Sequence, residues 1–245
     1  MKAFLAKIFA KRIVKKEQKW INDPIQTQDR ILKELIAFAK NTQFGKEHHF
    51  DQINTYEEFK QYVSVNDYEG LKHYFDEVVA GKADILWPGK PLYLAKTSGT
   101  TSGAKFIPLT KESIPYHINS ARNALLYYIH ETQNSSFVKG KMIFLQGSPI
   151  LEDKNGLKVG RLSGISAHFV PNYLQKNRLP SYETNIIEDW ETKVDKVVDE
   201  TVNADMTLIS GIPPWLIMYF ERLVKVSGKE NVQSIFKNLQ LMVTG

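Results

Sequence analysis

MTLISGIPPWLIMYFERLVKVSGKENVQSIFKNLQLMV, residues 206–243, is the stretch that sets the fold. MTLIS (206–210) reads as a buried strand, and Gly211 turns the chain. Pro213 and Pro214 stand where a helix tolerates proline, at its first turn. WLIMYFERLVKV then runs as a helix to Gly228, and LQLMV (239–243) reads as a second strand. Strand, helix and strand in that order make a parallel βαβ unit, because parallel neighbours need a crossover connection. The spacing therefore predicts an α/β body with mixed sheets and flanking helices.

Upstream the chain is mostly helical. QDRILKELIAFAK (28–40) places Ile31, Leu32, Leu35, Ile36 and Ala39 on one face, after a break at Pro24. Thr55 and Glu58 form a capping-box pattern that opens a helix through Val63. Asn66 or Asp67 is expected to cap the next helix, which Gly81 stops. PLYLA and FIPLT read as strands, and KMIFLQ as a buried one. A helix after Thr110 is expected to bury Ile118, Ala121, Leu125 and Ile129. DKNG (153–156) reads as a hairpin turn, and a further helix carries Ile187, Trp190, Val194, Val197 and Thr201. Two domains are expected: a basic N-terminal helix over 1–23, and an α/β body over 24–245. Parallel sheets seldom stop at a strand's carboxyl end, so the finish at Thr244-Gly245 predicts a partial chain.

Composition narrows the function classes. The 245 residues are 42% hydrophobic and 24% charged, ordinary for a soluble globular protein. No cysteine is present, which excludes disulfides, thiolate metal sites and a cysteine nucleophile, and fits a reducing, cytoplasmic setting. Residues 1–20 carry a charge of +6, and the remainder sums to −1. The body is therefore not basic, and no nucleic-acid partner is expected. Lys7, Lys11 and Arg12 interrupt any signal-peptide core, and no run reaches the length of a membrane span. Membrane-surface contact through residues 1–20 stays open, but the preferred reading is a helix packed on the body with its lysine stems lying along the surface.

Between the strand candidates PLYLA and FIPLT lies TSGTTSGAK (97–105). Such a stretch is either a solvated linker or a phosphate loop. It is short, it lies between two apolar strands, and it ends on Lys105, which favours the second. Glycines allow close backbone approach, hydroxyls add donors, and the lysine adds positive charge. It is not a Walker loop: Ala104 separates Gly103 from Lys105, Phe106 stands at the hydroxyl position, and a strand follows instead of a helix. No helix dipole helps, so side chains must supply more of the charge compensation.

TSGTTSGAK resembles the phosphate-loop signature of the adenylate-forming superfamily. NTQFGKEHHF, VNDYEGLKHYF, GKADILWPGK and KFIPLTKESI resemble the auxin-responsive acyl acid amido synthetases more specifically, and the likeness runs from about Pro24 to Gly245. The resemblance implies the N-terminal part of the large domain of an adenylate-forming enzyme. It implies ATP and Mg2+, with a carboxylic acid and an amino acid as substrates and an amide as product. A thioester-forming ligase, or a non-catalytic nucleotide-binding or membrane-surface module, are the alternatives. It assigns phosphate contact to Ser98, Gly99, Thr100, Thr101, Ser102, Gly103 and Lys105, with Lys105 catalytic, and nucleotide contact to Thr244 and Gly245. GIPPWL resembles a helix start near the acyl pocket, so Trp215 either walls that pocket or is core. His168, in SGISAHFV, either faces the acyl group or is a satisfied structural histidine. His48 and His49 have no third ligand at a recognisable spacing, so no protein-built metal site is assigned. The family's later motifs have no counterpart here, so a fragment of this extent is expected to be inactive alone.

Overall fold

The computed structural model describes residues 2–97, 103–170 and 175–244. The chain divides into two compact units that interleave in sequence. One takes residues 15–119 and 151–162, and the other takes 1–14, 120–150 and 163–245.

The first unit carries helices α2 (Pro24–Ala39), α3 (Gln43–Glu47), α4 (Tyr56–Tyr62) and α5 (Lys72–Val79). It also carries a four-stranded sheet of β1 (Tyr93–Lys96), β2 (Phe106–Leu109), β4 (Glu152–Lys154) and β5 (Leu157–Gly160), ordered β2-β1-β5-β4. Pro24 begins α2 rather than merely preceding it. Thr55 and Glu58 form the expected capping box, with the Glu58 N–H donating to Thr55 Oγ1 at 3.2 Å and the Thr55 N–H to Glu58 Oε2 at 3.0 Å. The α5 expectation was too long. Residues 67–71 form a turn in which the Gly70 N–H donates to Asp67 Oδ1, and the helix starts only at Lys72. Asp67 satisfies a turn instead of capping a helix, a competition inherent to short polar side chains. Leu94, Leu157 and Val159 point from the sheet onto Tyr74 and Val78 of α5 and onto Ile85.

β1 and β2 pair antiparallel, Leu94 opposite Pro108 and Lys96 opposite Phe106. Proline is tolerated in β2 because that strand is an edge. β1 also pairs in parallel with β5, and β5 continues antiparallel to β4 through the turn at Asn155–Gly156.

The second unit is built on a parallel sheet ordered β6-β3-β7-β8, from β3 (Lys141–Phe144), β6 (Arg178–Leu179), β7 (Met206–Gly211) and β8 (Leu241–Thr244). Alternation along the central strands separates two cores. Ile143 and Ile209 face Val194, Val197 and Val198 of the helix Trp190–Thr201, and Leu216, Tyr219 and Leu223 of the helix Pro213–Ser227. Met142 and Leu208 face the opposite way, onto Ala10, Leu126, Ile129 and Phe137. A strand buried on both faces reads as a continuous apolar run, which is why MTLIS was legible. In the helix Ile114–Thr132 the buried stripe is Leu126 and Ile129 with Leu125 beside them, and the expected Ala121 is exposed. The N-terminal helix α1 (Lys2–Ile21) buries Ala10 and Val14 and leaves Phe4, Leu5 and Ile8 exposed.

Candidate functional site

In the first unit the β1–β2 hairpin brackets the hydroxyl-rich loop. The Thr97 N–H donates to the Lys105 carbonyl at 3.0 Å, closing the loop's base one step beyond the Lys96–Phe106 pair. Gly103 has φ +85°, a conformation that L side chains rarely adopt. Ser98, Gly99, Thr100, Thr101 and Ser102 lie outside the described residues, as does Gly245.

Lys105 leaves the loop under control of the turn at 67–71. Its Nζ stands 5.0 Å from the Tyr68 ring centroid and 3.9 Å from Glu69 Oε1. Tyr68 is fixed in turn: its hydroxyl accepts the Phe106 N–H at 3.2 Å, and its ring stacks on Phe75. A solvent-reached ion pair at that separation is worth little, so the ammonium is free to prefer a closer, more highly charged anion. The VNDYEG stretch therefore acts as the support of the lysine, a role its sequence does not announce.

In the second unit a cavity of about 270 Å3 opens beside the carboxyl ends of β3 and β6. Ligands of parallel sheets lie beyond that end of the strands. Gln146 and Pro149 come from the segment after β3, and His168 follows the helix Leu162–Ala167. Arg178 and Pro180 come from β6 and its exit, and Asn185 ends the helix Tyr182–Asn185. Gly164 makes the approach of two of these segments possible. A Cβ there would lie 2.1 Å from the Ser148 carbonyl oxygen, and the Gly147 N–H donates to Ser163 Oγ at 3.2 Å.

His168 Nε2 lies 2.8 Å from the Pro149 carbonyl. A carbonyl only accepts, so Nε2 carries the proton and donates, which leaves Nδ1 as an acceptor in the neutral ring. Arg178 crosses the Phe144 ring at 5.4 Å, and burial pushes its guanidinium below the usual range. Among the described residues no acidic side chain lines the cavity. Lys193 is 3% exposed, and its Nζ donates to the Asn185 carbonyl at 2.7 Å and the Gln146 carbonyl at 3.2 Å, tying two walls together.

Glu200 fixes the third wall. Its carboxylate accepts from the Ser181 N–H at 2.7 Å, the Ser181 hydroxyl and the Thr184 hydroxyl. Hydrogen bonds to a charged group contribute about 1.5–3 kcal/mol. Glu200→Ala is expected to lower unfolding free energy by about that much, measured by urea denaturation monitored by circular dichroism; an unchanged midpoint would show that this carboxylate does not hold the wall.

The other residues singled out from sequence are dispersed. Trp215 stacks on Trp190 at 4.4 Å and 24°, packed against the core under the helix Pro213–Ser227, and it does not line the His168 cavity. Thr244 ends β8 opposite Gly211, at the carboxyl end of the sheet. His48 Nδ1 donates to the Tyr62 carbonyl at 2.9 Å, which takes up one of its ring nitrogens. Among the described residues no group of three metal-ligating side chains occurs, and no helix is long and apolar enough to cross a membrane.

Arg178, Asn185 and Lys193 were not anticipated. For Lys193 a signal existed: it sits between Trp190 and Val197 on the apolar stripe of its helix, where an inward lysine must find partners. Arg178 and Asn185 belong to no motif.

The GH3 family N-terminal domain profile matches residues 14–177. The indole-3-acetic acid-amido synthetase GH3.15 of Arabidopsis thaliana is 32% identical over 108 residues, covering 43% of this chain and 18% of that protein. The solved GH3.15 acyl acid amido synthetase superposes with a TM-score of 0.65 at 19% identity, covering 79% of this chain and 35% of the other. A second structure, of AtGH3.15 in complex with 2,4-DB, gives 0.63 at 19% identity over 82% and 36%. At that identity the structural likeness establishes the fold. The chain spans about a third of the length of the solved relatives.

Proposed function

The chain belongs to the GH3 family through its N-terminal domain, and from that premise we propose that it is the nucleotide-gripping part of an ATP-dependent ligase that joins a carboxylic acid to an amine. The observation that carries the proposal is the β1–β2 hairpin: a Ser/Thr/Gly loop closed at its base by the Thr97–Lys105 bond, with Lys105 at its exit.

In the proposed reaction a carboxylate oxygen attacks the α-phosphorus of ATP. The bond from that phosphorus to the bridging oxygen breaks, and pyrophosphate leaves. An amine then attacks the acyl carbon, AMP departs, and the nitrogen loses a proton to give the amide. Negative charge gathers on the leaving β- and γ-phosphates in the first step. Donors held in place beforehand stabilise it without reorganising. Ser98, Gly99, Thr100, Thr101, Ser102 and Gly103 are proposed as those donors, with Lys105 as the cation. Thr244 and Gly245 are proposed to touch the nucleotide, and Trp215 to wall the acyl pocket. Mg2+ is proposed to arrive with ATP, held mainly by phosphate oxygens and water. A cytoplasmic location, and free small-molecule acids and amino acids as substrates, complete the reading.

The test is product analysis. The full-length protein is given ATP, a panel of carboxylic acids, and either amino acids or coenzyme A. An amide mass that requires ATP and an amino acid is the expected result. A thioester formed with coenzyme A and no amide would replace this reading with the thioester-forming one, and no ATP-dependent product at all would remove both.

A further inference from the structure

The outward face of α1 carries the larger apolar side chains of that helix. Small residues do its packing: Ala10 is fully buried beside Leu126, Ile129 and Phe137, and Ala6 lies partly buried with it. The Ser135 hydroxyl donates to the Ala3 carbonyl at 2.9 Å and fixes the start of the helix. Phe4, Leu5 and Ile8 point away and are 66%, 55% and 53% exposed. A helix that only packs on a body turns its bulky apolar residues inward, so an exposed cluster of three marks a contact surface. At about 100° per residue, Phe4, Leu5, Ile8, Lys11 and Arg12 fall on the arc opposite Ala6 and Ala10. Residues 2–14 hold four cations, Lys2, Lys7, Lys11 and Arg12, all exposed, and no acid. Arg122, from the helix Ile114–Thr132, adds another cation over the Phe9 ring at 5.5 Å.

We propose that this face of α1 lies on an anionic lipid surface, with Phe4, Leu5 and Ile8 at the edge of the acyl chains and Lys7, Lys11 and Arg12 against lipid phosphates. An interfacial helix sinks its apolar side chains about 5–10 Å into the boundary between headgroups and acyl chains. Lysine and arginine lay their stems along apolar surface and keep the charge in the polar layer, so cations interleaved with Phe4 and Ile8 suit that boundary. They do not suit a protein core, where each would need a buried carboxylate. A second copy meeting this face across a two-fold axis would bring the same cations together. A nucleic acid would satisfy the cations through its phosphates and leave Phe4, Leu5 and Ile8 without an apolar partner. The Ser135 bond and the buried Ala10 hold the helix in place beforehand, so no folding is required on contact. The contact is independent of the ligase chemistry, since α1 holds none of the residues proposed for it.

The experiment is vesicle flotation of the full-length protein over a lipid titration. One set of vesicles is phosphatidylcholine and phosphatidylglycerol in a two-to-one ratio, and the other is phosphatidylcholine alone. The parent is expected to float with the anionic vesicles, to partition at least about tenfold less onto the neutral ones, and to bind more weakly as salt shortens the screening length from about 8 Å to about 3 Å. Lys11→Gln with Arg12→Gln is expected to weaken partitioning about 10–30-fold, since each basic residue near an anionic surface contributes about fivefold. Phe4→Ser with Leu5→Ser is expected to weaken it at least about tenfold, a response that adsorption by charge alone would not give. These four side chains are exposed, so circular dichroism spectra should match the parent; if the Phe4 and Leu5 pair misfolds, Ile8→Ser carries the apolar test. No flotation of the parent with anionic vesicles overturns the proposal. So does equal binding to neutral vesicles, or either variant pair binding as tightly as the parent. Self-association without lipid that is lost in the Phe4 and Leu5 pair, with no flotation, gives the face to a second copy and overturns the proposal. Retention of an RNA oligonucleotide without flotation gives the face to nucleic acid and does the same.

Discussion

Replacing Lys105 by alanine is expected to slow acid-dependent exchange of pyrophosphate into ATP by about 10²–10³, the cost of deleting one preorganised charge-stabilising group. The side chain is well placed for a large effect. The loop is entered and left by strands, so among the described residues no helix starts at its exit to supply partial positive charge. Lys105 is the cation at the loop's exit, and its acidic partner Glu69 stands 3.9 Å away, too weak a competitor to hold it. Alanine keeps the backbone bond from Thr97, so the hairpin should survive. The loss should therefore appear in the rate, with thermal stability little changed. Exchange at the parental rate would remove Lys105 from the phosphate site.

Gly164→Val should have the largest effect on stability. Even the first carbon of the new side chain would lie 2.1 Å from the Ser148 carbonyl oxygen and 3.1 Å from its carbon. Both are backbone atoms, so no rotamer change relieves the overlap; either the helix Leu162–Ala167 or the segment after β3 must move. Overpacking of this kind costs about 1–3 kcal/mol and occasionally more. In a chain of this size, 3 kcal/mol corresponds to a fall of about 6–12 °C in the melting midpoint. The same displacement would carry His168 away from the Pro149 carbonyl. A parental melting curve would mean that the two segments do not approach as described.

Local chemistry explains what could be read in advance. The β7–helix–β8 unit was legible because Pro213, Pro214 and Gly228 mark the helix ends, and because a strand buried on both faces has no polar alternation to obscure it. The hairpin that carries Lys105 was legible because a hydroxyl and glycine run lies between two apolar strands. The division into two units was not. β5 pairs with β1 across more than sixty residues, and the hairpin at 152–160 interrupts one unit to complete the other. No local spacing records such pairing, since it depends on which apolar surfaces meet after the chain has collapsed. The cavity was illegible for the same reason. Gln146 and Pro149, after β3, reach Arg178 and Asn185 only through the parallel pairing of β3 with β6, and the turn fixed by Glu200 helps set the wall that carries Asn185.

The proposed function rests on the hairpin loop as a grip for the phosphates of ATP while the acid is adenylated. The direct measurement is incorporation of labelled pyrophosphate into ATP by the full-length protein, with and without a carboxylic acid panel. Exchange that appears only with an acid, and falls at least about a hundredfold in Lys105→Ala, is the predicted result. Exchange absent with every acid, or present and indifferent to Lys105, would contradict it.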